Sequence, residues 1–361
     1  MLWLPWRCGT ATVFNLQVMI GSLSSPLETI GDIRFSRSIA NAGLSGIAVT
    51  SVSFKSADFP TIGADVPIYF GNTIGNLPTF FLNKEVWKDG ITTVEALDRC
   101  AYLDTPIDTA PNNEPWDVDD GNYLTTAFVK ALKDQCGFSS VQLPYTEAEI
   151  PCERIDGKTF QTVLSEMSQA YCGFFCCHSG TSLSFVQYGS GSVTENITKY
   201  SRISPNGSLH YNSVVVTDGE RYLKYGGSTP PTLNINSQYV DIDNPDSVYY
   251  QLSNAYLSDW NCDNAVSTGR NLPILGDKLR FMTSPVYGRE YTVLRVNARI
   301  VGSELLLSVG ADVPNGGYIA RRGLMQQKLD DAVSTAKLYG TVKIIDSGIS
   351  LIANDKDLIT P

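Results

Sequence analysis

The chain has 361 residues, of which 43% are hydrophobic and 18% charged, and its net charge is −10. That apolar share is enough for packed cores and excludes wholesale disorder. The acidic balance excludes the broad basic footprint that duplex binding needs, and no uncharged apolar run approaches the ~18 residues of a membrane-spanning helix.

The opening stretch, MLWLPWRCGTATVFNLQVMIG, is not expected to act as a secretory signal. It lacks a basic start, and Pro5 and Arg7 interrupt its apolar run. Residues 13–90 read as strands. IRFSRSI (33–39) and IAVTSVSFK (47–55) alternate with a period near two, which places Ile47, Val49 and Val52–Phe54 inward. ADVPIYFG (64–71) and TFFLNKEVWKDG (79–90) follow, separated by Gly, Asn and Pro turn clusters. We assign residues 1–91 to a first β-barrel domain.

Between 92 and 190 a helical period appears, and we read this segment as an α/β insert. Helices are expected at 92–104 (Val94, Leu97 and Ala101 on one face), at 122–136 and at 156–172. The second stops at Gly137. The third takes Asp156 as its N-cap and stops at Gly173. A hairpin is expected at 174–188. Short runs bounded by Gly, Pro, Asn and Asp then return, giving a second β-barrel domain at 191–317 with a Gly276-Asp277 turn before one of its strands. Residues 318–361 read as a C-terminal extension, a helix followed by a strand pair. Leu329, Val333 and Ala336 lie on one stripe of that helix and Arg321 and Arg322 flank its start, so these five are candidate subunit contacts.

Six of the eight cysteines (Cys100, Cys136, Cys152, Cys172, Cys176 and Cys177) fall in the insert, and residues 171–178 read YCGFFCCH. On a strand, Cys176 and His178 share a face, so with Cys172 they are candidate zinc ligands. The same run, G-F-F-C-C, also suits a strand covered on both faces, with the cysteines packed as small hydrophobes and His178 exposed at a turn. A disulfide or redox role is the third possibility. The chain has only two histidines, His178 and His210, which leaves little choice for a nucleophile–histidine dyad. The acidic turn at Asp117, Asp119 and Asp120 fails the EF-hand spacing and reads as solvated. No phosphate-loop pattern is present.

The order of these segments carries a resemblance. Residues Ala96 to Asp108 (ALDRCAYLDTPID), the helix TFQTVLSEMSQAYCG, the hairpin ending at Val186-Gln187-Tyr188-Gly189, the phrase Leu275-Gly276-Asp277 and the phrase Gly288-Arg289-Glu290-Tyr291-Thr292 follow one another. In this order they resemble the tail hub proteins of bacteriophages and phage-like particles, the central baseplate or tail-tip component. The likeness spans roughly residues 30–315. The cysteine richness, and Cys100 in particular, departs from the family pattern.

The resemblance implies a β-rich α+β fold of two tube-type β-barrel domains with an α/β insert between them. It implies a structural virion component, not an enzyme, with no catalytic residue, cofactor or metal. Three copies would form a pseudo-sixfold ring that continues the tail tube at the baseplate or tail tip, after assembly in the host bacterial cytoplasm. Expected partners are further copies of the chain, a tail tube or distal tail protein, the tape-measure protein and spike or fibre proteins. DNA would pass through the lumen without specific binding, and the net charge suggests an acidic lumen. The alternatives are a secreted β-rich glycan- or receptor-binding module, which would carry oxidised cysteines, and a zinc-containing enzyme.

Overall fold

A computed structural model of the chain describes residues 17–21, 25–39, 46–71, 74–144, 149–209, 212–217, 221–226, 232–239, 257–267, 271–301, 304–311, 341–345, 348–353 and 356–359. The strands of the first β region are β1 (Val18–Ile20), β2 (Ile33–Ile39), β3 (Ile47–Ser56), β4 (Pro67–Phe70), β5 (Phe80–Lys88) and β6 (Ile91–Asp98). The insert holds β7 (Val118–Asp119), β8 (Asn122–Leu124), α1 (Thr125–Cys136), β9 (Ser140–Gln142), β10 (Glu149–Pro151), α2 (Phe160–Ala170), β11 (Gly173–Cys177) and β12 (Ser182–Gln187). The second β region holds β13 (Val193–Ile197), β14 (Arg202–Leu209), β15 (Ser213–Thr217), β16 (Tyr222–Gly226), β17 (Thr232–Asn236), β18 (Leu257–Val266), β19 (Lys278–Phe281), β20 (Glu290–Thr292), β21 (Arg295–Val301) and β22 (Glu304–Ala311). Three strands, β23 (Thr341–Ile345), β24 (Gly348–Ala353) and β25 (Lys356–Ile359), pair as an antiparallel sheet of their own. The fold is β-rich, as expected.

The two β regions are joined by hydrogen bonds. A single sheet runs β1-β4-β5-β6-β3-β2-β21-β22-β18-β14. Its seam is the antiparallel β2–β21 pair, from Ile33 opposite Ile300 to Ser38 opposite Arg295. The insert's hairpin also enters this sheet, because β11 pairs in parallel with the start of β3 (Phe175 with Ile47, Cys176 with Ala48).

Alternation decides which side chains enter the core. Ile33, Phe35, Arg37 and Ile39 of β2 are buried, as are Ala48, Thr50, Val52, Phe54 and Ser56 of β3. Ile47 and Val49 therefore lie on the opposite face, against expectation: the inward register starts at Ala48, and a period of two cannot also serve its neighbours. Phe35, Phe54, Phe70 and Phe80 meet edge-on or tilted at 5.2–6.1 Å. In the second region Trp260, Phe281 and Tyr291 form the matching cluster.

The helix expected at 92–104 is a strand followed by a turn of 3-10 helix. Thr92, Val94, Ala96 and Asp98 are buried on a strict period of two, and the β-branched run Thr92-Thr93-Val94 favours this extended form. The first β region thus extends to Asp98, beyond the expected boundary at 91. Arg99–Asp104 form the 3-10 turn, capped by the Asp98 side chain.

α1 ends as expected at Gly137, whose φ of 76° is left-handed and whose N–H bonds Lys133. α2 is shorter than expected. Thr159 caps it by accepting from the Thr162 N–H, whereas Asp156 accepts from the Tyr123 hydroxyl at 3.0 Å. Its left-handed exit is Cys172, at φ 52°. Gly173 already belongs to β11, and a Cβ there would collide with the Phe185 ring and the Val186 carbonyl. The candidate contacts Arg321, Arg322, Leu329, Val333 and Ala336 lie outside the described residues.

Candidate functional site

The most unusual chemistry among the described residues lies in the core beside β2, β3, β6 and β11. It begins with the alternation of IRFSRSI, which sends Arg37 inward with Phe35 and Ile39. Arg37 is fully buried. Its Nε donates to Thr50 Oγ1 at 2.8 Å, one terminal nitrogen donates to the Asn76 carbonyl at 3.2 Å, and the other reaches the Pro273 carbonyl at 3.5 Å. One guanidinium therefore holds a loop from each β region against the seam strand. The two loops also bond each other, Leu272 N–H to the Gly75 carbonyl at 3.1 Å.

Asp98 supplies the counter-charge from the end of β6. It too is fully buried, and its carboxylate accepts from the Thr50 N–H at 2.8 Å and the Cys100 N–H at 3.0 Å. Thr50 thus bridges the two charges. Arg99, next along, turns outward: its guanidinium stacks 3.6 Å above the Phe81 ring and 4.6 Å from the Tyr102 ring, and it pairs with Asp65 at 3.2 Å. The Asp-Arg-Cys phrase therefore has a physical meaning. The aspartate caps a turn from inside the core, and the arginine clamps it from outside.

The thiols surround this pair. Cys100 donates to Cys177, with 3.6 Å between the sulfurs, and Cys176 lies 2.9 Å from His178 Nε2. One expectation changes here, and one contact was not foreseen. His178 is mostly buried, not exposed, because it folds back along its own strand face onto Cys176. The cysteine that meets Cys100 is Cys177, on the opposite face of β11 from Cys176. Cys172 caps α2 instead, donating to the Gln169 carbonyl. The three proposed zinc ligands therefore do not converge, and no group of three His, Cys, Asp or Glu side chains suited to a metal occurs among the described residues.

Burial sets the protonation states. The hydrogen bond to Cys177, and then burial, pushes the Cys100 thiol up, and desolvation pushes up those of Cys176, Cys136, Cys172 and Cys262, the last three to about 12. A nucleophilic or metal-binding cysteine needs the thiolate, so these environments suit packing. The seven described cysteines are free thiols. In native protein, thiol-specific alkylation at pH 8 is expected to reach half-buried Cys152 first and to leave Cys100, Cys136, Cys172, Cys176 and Cys177 unmodified until unfolding. Peptide mass mapping over time checks this order, and early labelling of Cys176 or Cys177 would contradict it.

Asp98 and His178 oppose each other in pH. Burial raises the Asp98 carboxyl to about 6, against the pull of its Thr50 bonds and Arg37. Its contribution to stability is present below pH 3.8 and is lost as pH rises through about 6. Burial, and then Arg37, lowers His178 to about 4, so its contribution is present above pH 6.5 and is lost as pH falls through about 4. His178→Asn is therefore expected to make the protein lose stability, relative to wild type, as pH rises from 4 to 6. Asp98→Asn is expected to make it lose stability, relative to wild type, as pH falls from 6.5 to 4. Urea midpoints of the three proteins at pH 4.5 and 7 check both signs.

Across the sheet, the other face of β2, β3, β6, β21 and β22 is open. A cleft of about 640 Å³ lies there, walled by Arg34, Ser36, Ser51, Ser53, Asn297 and Arg299, with Glu95. The sequence reading did not identify this surface, although its signal was present: Ser, Asn and Arg at every second position of strands whose alternate positions are apolar.

No protein-family model and no curated protein sequence matches this chain. Solved structures do. The 43 kDa tail protein of prophage MuSo2 from Shewanella oneidensis superposes with a TM-score of 0.51 at 10% identity, over 82% of this chain and 97% of that one. The tail protein from Neisseria meningitidis MC58 superposes with a TM-score of 0.52 at 11% identity, over 82% of this chain and 96% of that one. The chain has the fold of prophage tail proteins. Each match covers 82% of this chain.

Proposed function

We propose that the chain is a structural component of a phage-type tail, the hub of a baseplate or tail tip, and not an enzyme. The observation that carries this reading is the single sheet through which β2 and β21 weld the two β regions, in the fold shared with the two prophage tail proteins. Two sheet-forming units per chain suit a ring of three copies with pseudo-sixfold symmetry, stacked on a sixfold tube. The buried thiols, histidine and charge pair then act as internal fastenings, out of reach of any substrate. The open sheet face suits the wall of the channel through which DNA passes. Arg34 and Arg299 outnumber Glu95 in its cleft, which favours a polar wall over the acidic lumen that the net charge suggests. Its neighbours would be a tail tube or distal tail protein, the tape-measure protein and spike or fibre proteins, in a virion assembled in the host bacterial cytoplasm.

Native mass spectrometry tests the reading. A species of three times 39.4 kDa without metal supports it. A monomer retaining one zinc ion per chain, or one with oxidised cysteines that binds glycans, would instead favour the zinc enzyme or the secreted module.

A further inference from the structure

Along the sheet edge β5 runs on past its outer neighbour β4. Residues 83–90 are all exposed, and Trp87 is 73% exposed, more than any other large hydrophobic residue among those described. β4 pairs with β5 only at Phe80 and Phe81. From Leu82 to Lys88 the outer edge of β5 has no strand partner among the described residues. Lys84, Val86 and Lys88 share one face of this edge, and Glu85 and Trp87 the other.

A second free edge lies on the insert. β7 pairs only with β8, and its outer side is open. With its flanking residues it reads Asp117-Val118-Asp119-Asp120, all exposed, with Val118 at 54%. An exposed valine between carboxylates complements an exposed Val-Trp pair between lysines. An antiparallel alignment that sets Trp87 opposite Val118 also sets Lys88 opposite Asp117. It places Asp119 opposite Val86, diagonal to both Lys84 and Lys88, while Glu85 falls opposite Asp120, beyond the end of β7 in the following turn. Aromatic–β-branched and opposite-charge cross-strand pairs of this kind are the favourable ones.

We infer that the β5 edge of one copy adds to the β7 edge of a second copy of this chain. The contact uses two different patches, so it is head-to-tail and closes into a ring when the rotation allows. The inference rests on the ring reading above and assigns its contact.

The experiment uses the full chain with paired charge reversals, read by sedimentation velocity. Lys84→Glu with Lys88→Glu, and separately Asp117→Lys with Asp119→Lys, are each expected to weaken assembly at least tenfold. All four substitutions in one chain restore opposite charges across the contact and are expected to restore the ring, a rescue that general damage to the fold would not give. Trp87→Ser is expected to weaken assembly without moving the melting temperature. Wild type that assembles while both double variants assemble equally well would overturn this contact and leave the ring standing. Wild type that stays monomeric at every concentration would overturn both. Assembly that the four-fold variant fails to restore would point to a different protein as the occupant and overturn the self-contact.

Discussion

Asp98→Ala is expected to lower the unfolding free energy by about 2–4 kcal/mol, the cost of leaving two buried N–H groups without a charged acceptor. The cost has two sources. The Thr50 and Cys100 N–H groups lose their acceptor inside the core, and buried Arg37 loses the negative charge that offsets its desolvation. Arg37→Met removes the opposite charge and is expected to fall in the same range, because it also releases Thr50 and the carbonyls of Asn76 and Pro273. The combination Arg37→Met with Asp98→Ala leaves no unpaired charge, and is expected to cost less than the sum of the two single changes by more than 1 kcal/mol. Urea unfolding of the four proteins closes the cycle. Strict additivity would mean that the two charges do not sense each other through Thr50.

Trp260→Ala is the second large effect. Trp260 is the largest fully buried side chain described. It packs against Phe281 at 5.8 Å and Tyr291 at 5.1 Å, and its indole N–H donates to the Thr292 carbonyl at 2.8 Å. Truncation leaves a cavity in the second β region and is expected to cost about 3–5 kcal/mol. Trp260→Phe keeps most of the packing and loses the hydrogen bond, so it is expected to cost about 1–2 kcal/mol. Guanidinium unfolding followed by circular dichroism separates the two. Near-equal losses would show that the hydrogen bond, rather than the volume, dominates.

Strands with clean alternation were legible in the sequence. IRFSRSI matches β2 residue for residue, and the hairpin around Ser179-Gly180 matches β11 and β12. TTVEALD was not, because Val94, Leu97 and Ala101 satisfy a helical spacing while Thr92, Val94, Ala96 and Asp98 satisfy a strand. The run ends in an aspartate, which alternation marks as polar and outward, yet Asp98 is buried by partners 48 positions away on β3. Arg37 was hidden for the same reason, since only the loops at Asn76 and Pro273 make its burial tolerable. The sequence left open which cysteine of β11 meets Cys100. Cys176 and Cys177 are equivalent in the sequence, and the face of β11 that meets Cys100 is set by where the 3-10 turn docks, 77 residues earlier. The weld of β2 to β21, which sets Arg37 opposite Val296, 259 positions on, is likewise a property of tertiary pairing that no local pattern encodes.

A low-resolution electron-microscopy image of the purified, assembled chain tests the tail-hub reading most directly. The expected result is a closed ring of three copies with pseudo-sixfold outline and a central channel walled by the β2, β3, β21 and β22 face. Isolated particles of single-chain size, or a closed assembly with that face buried and no channel, would contradict it.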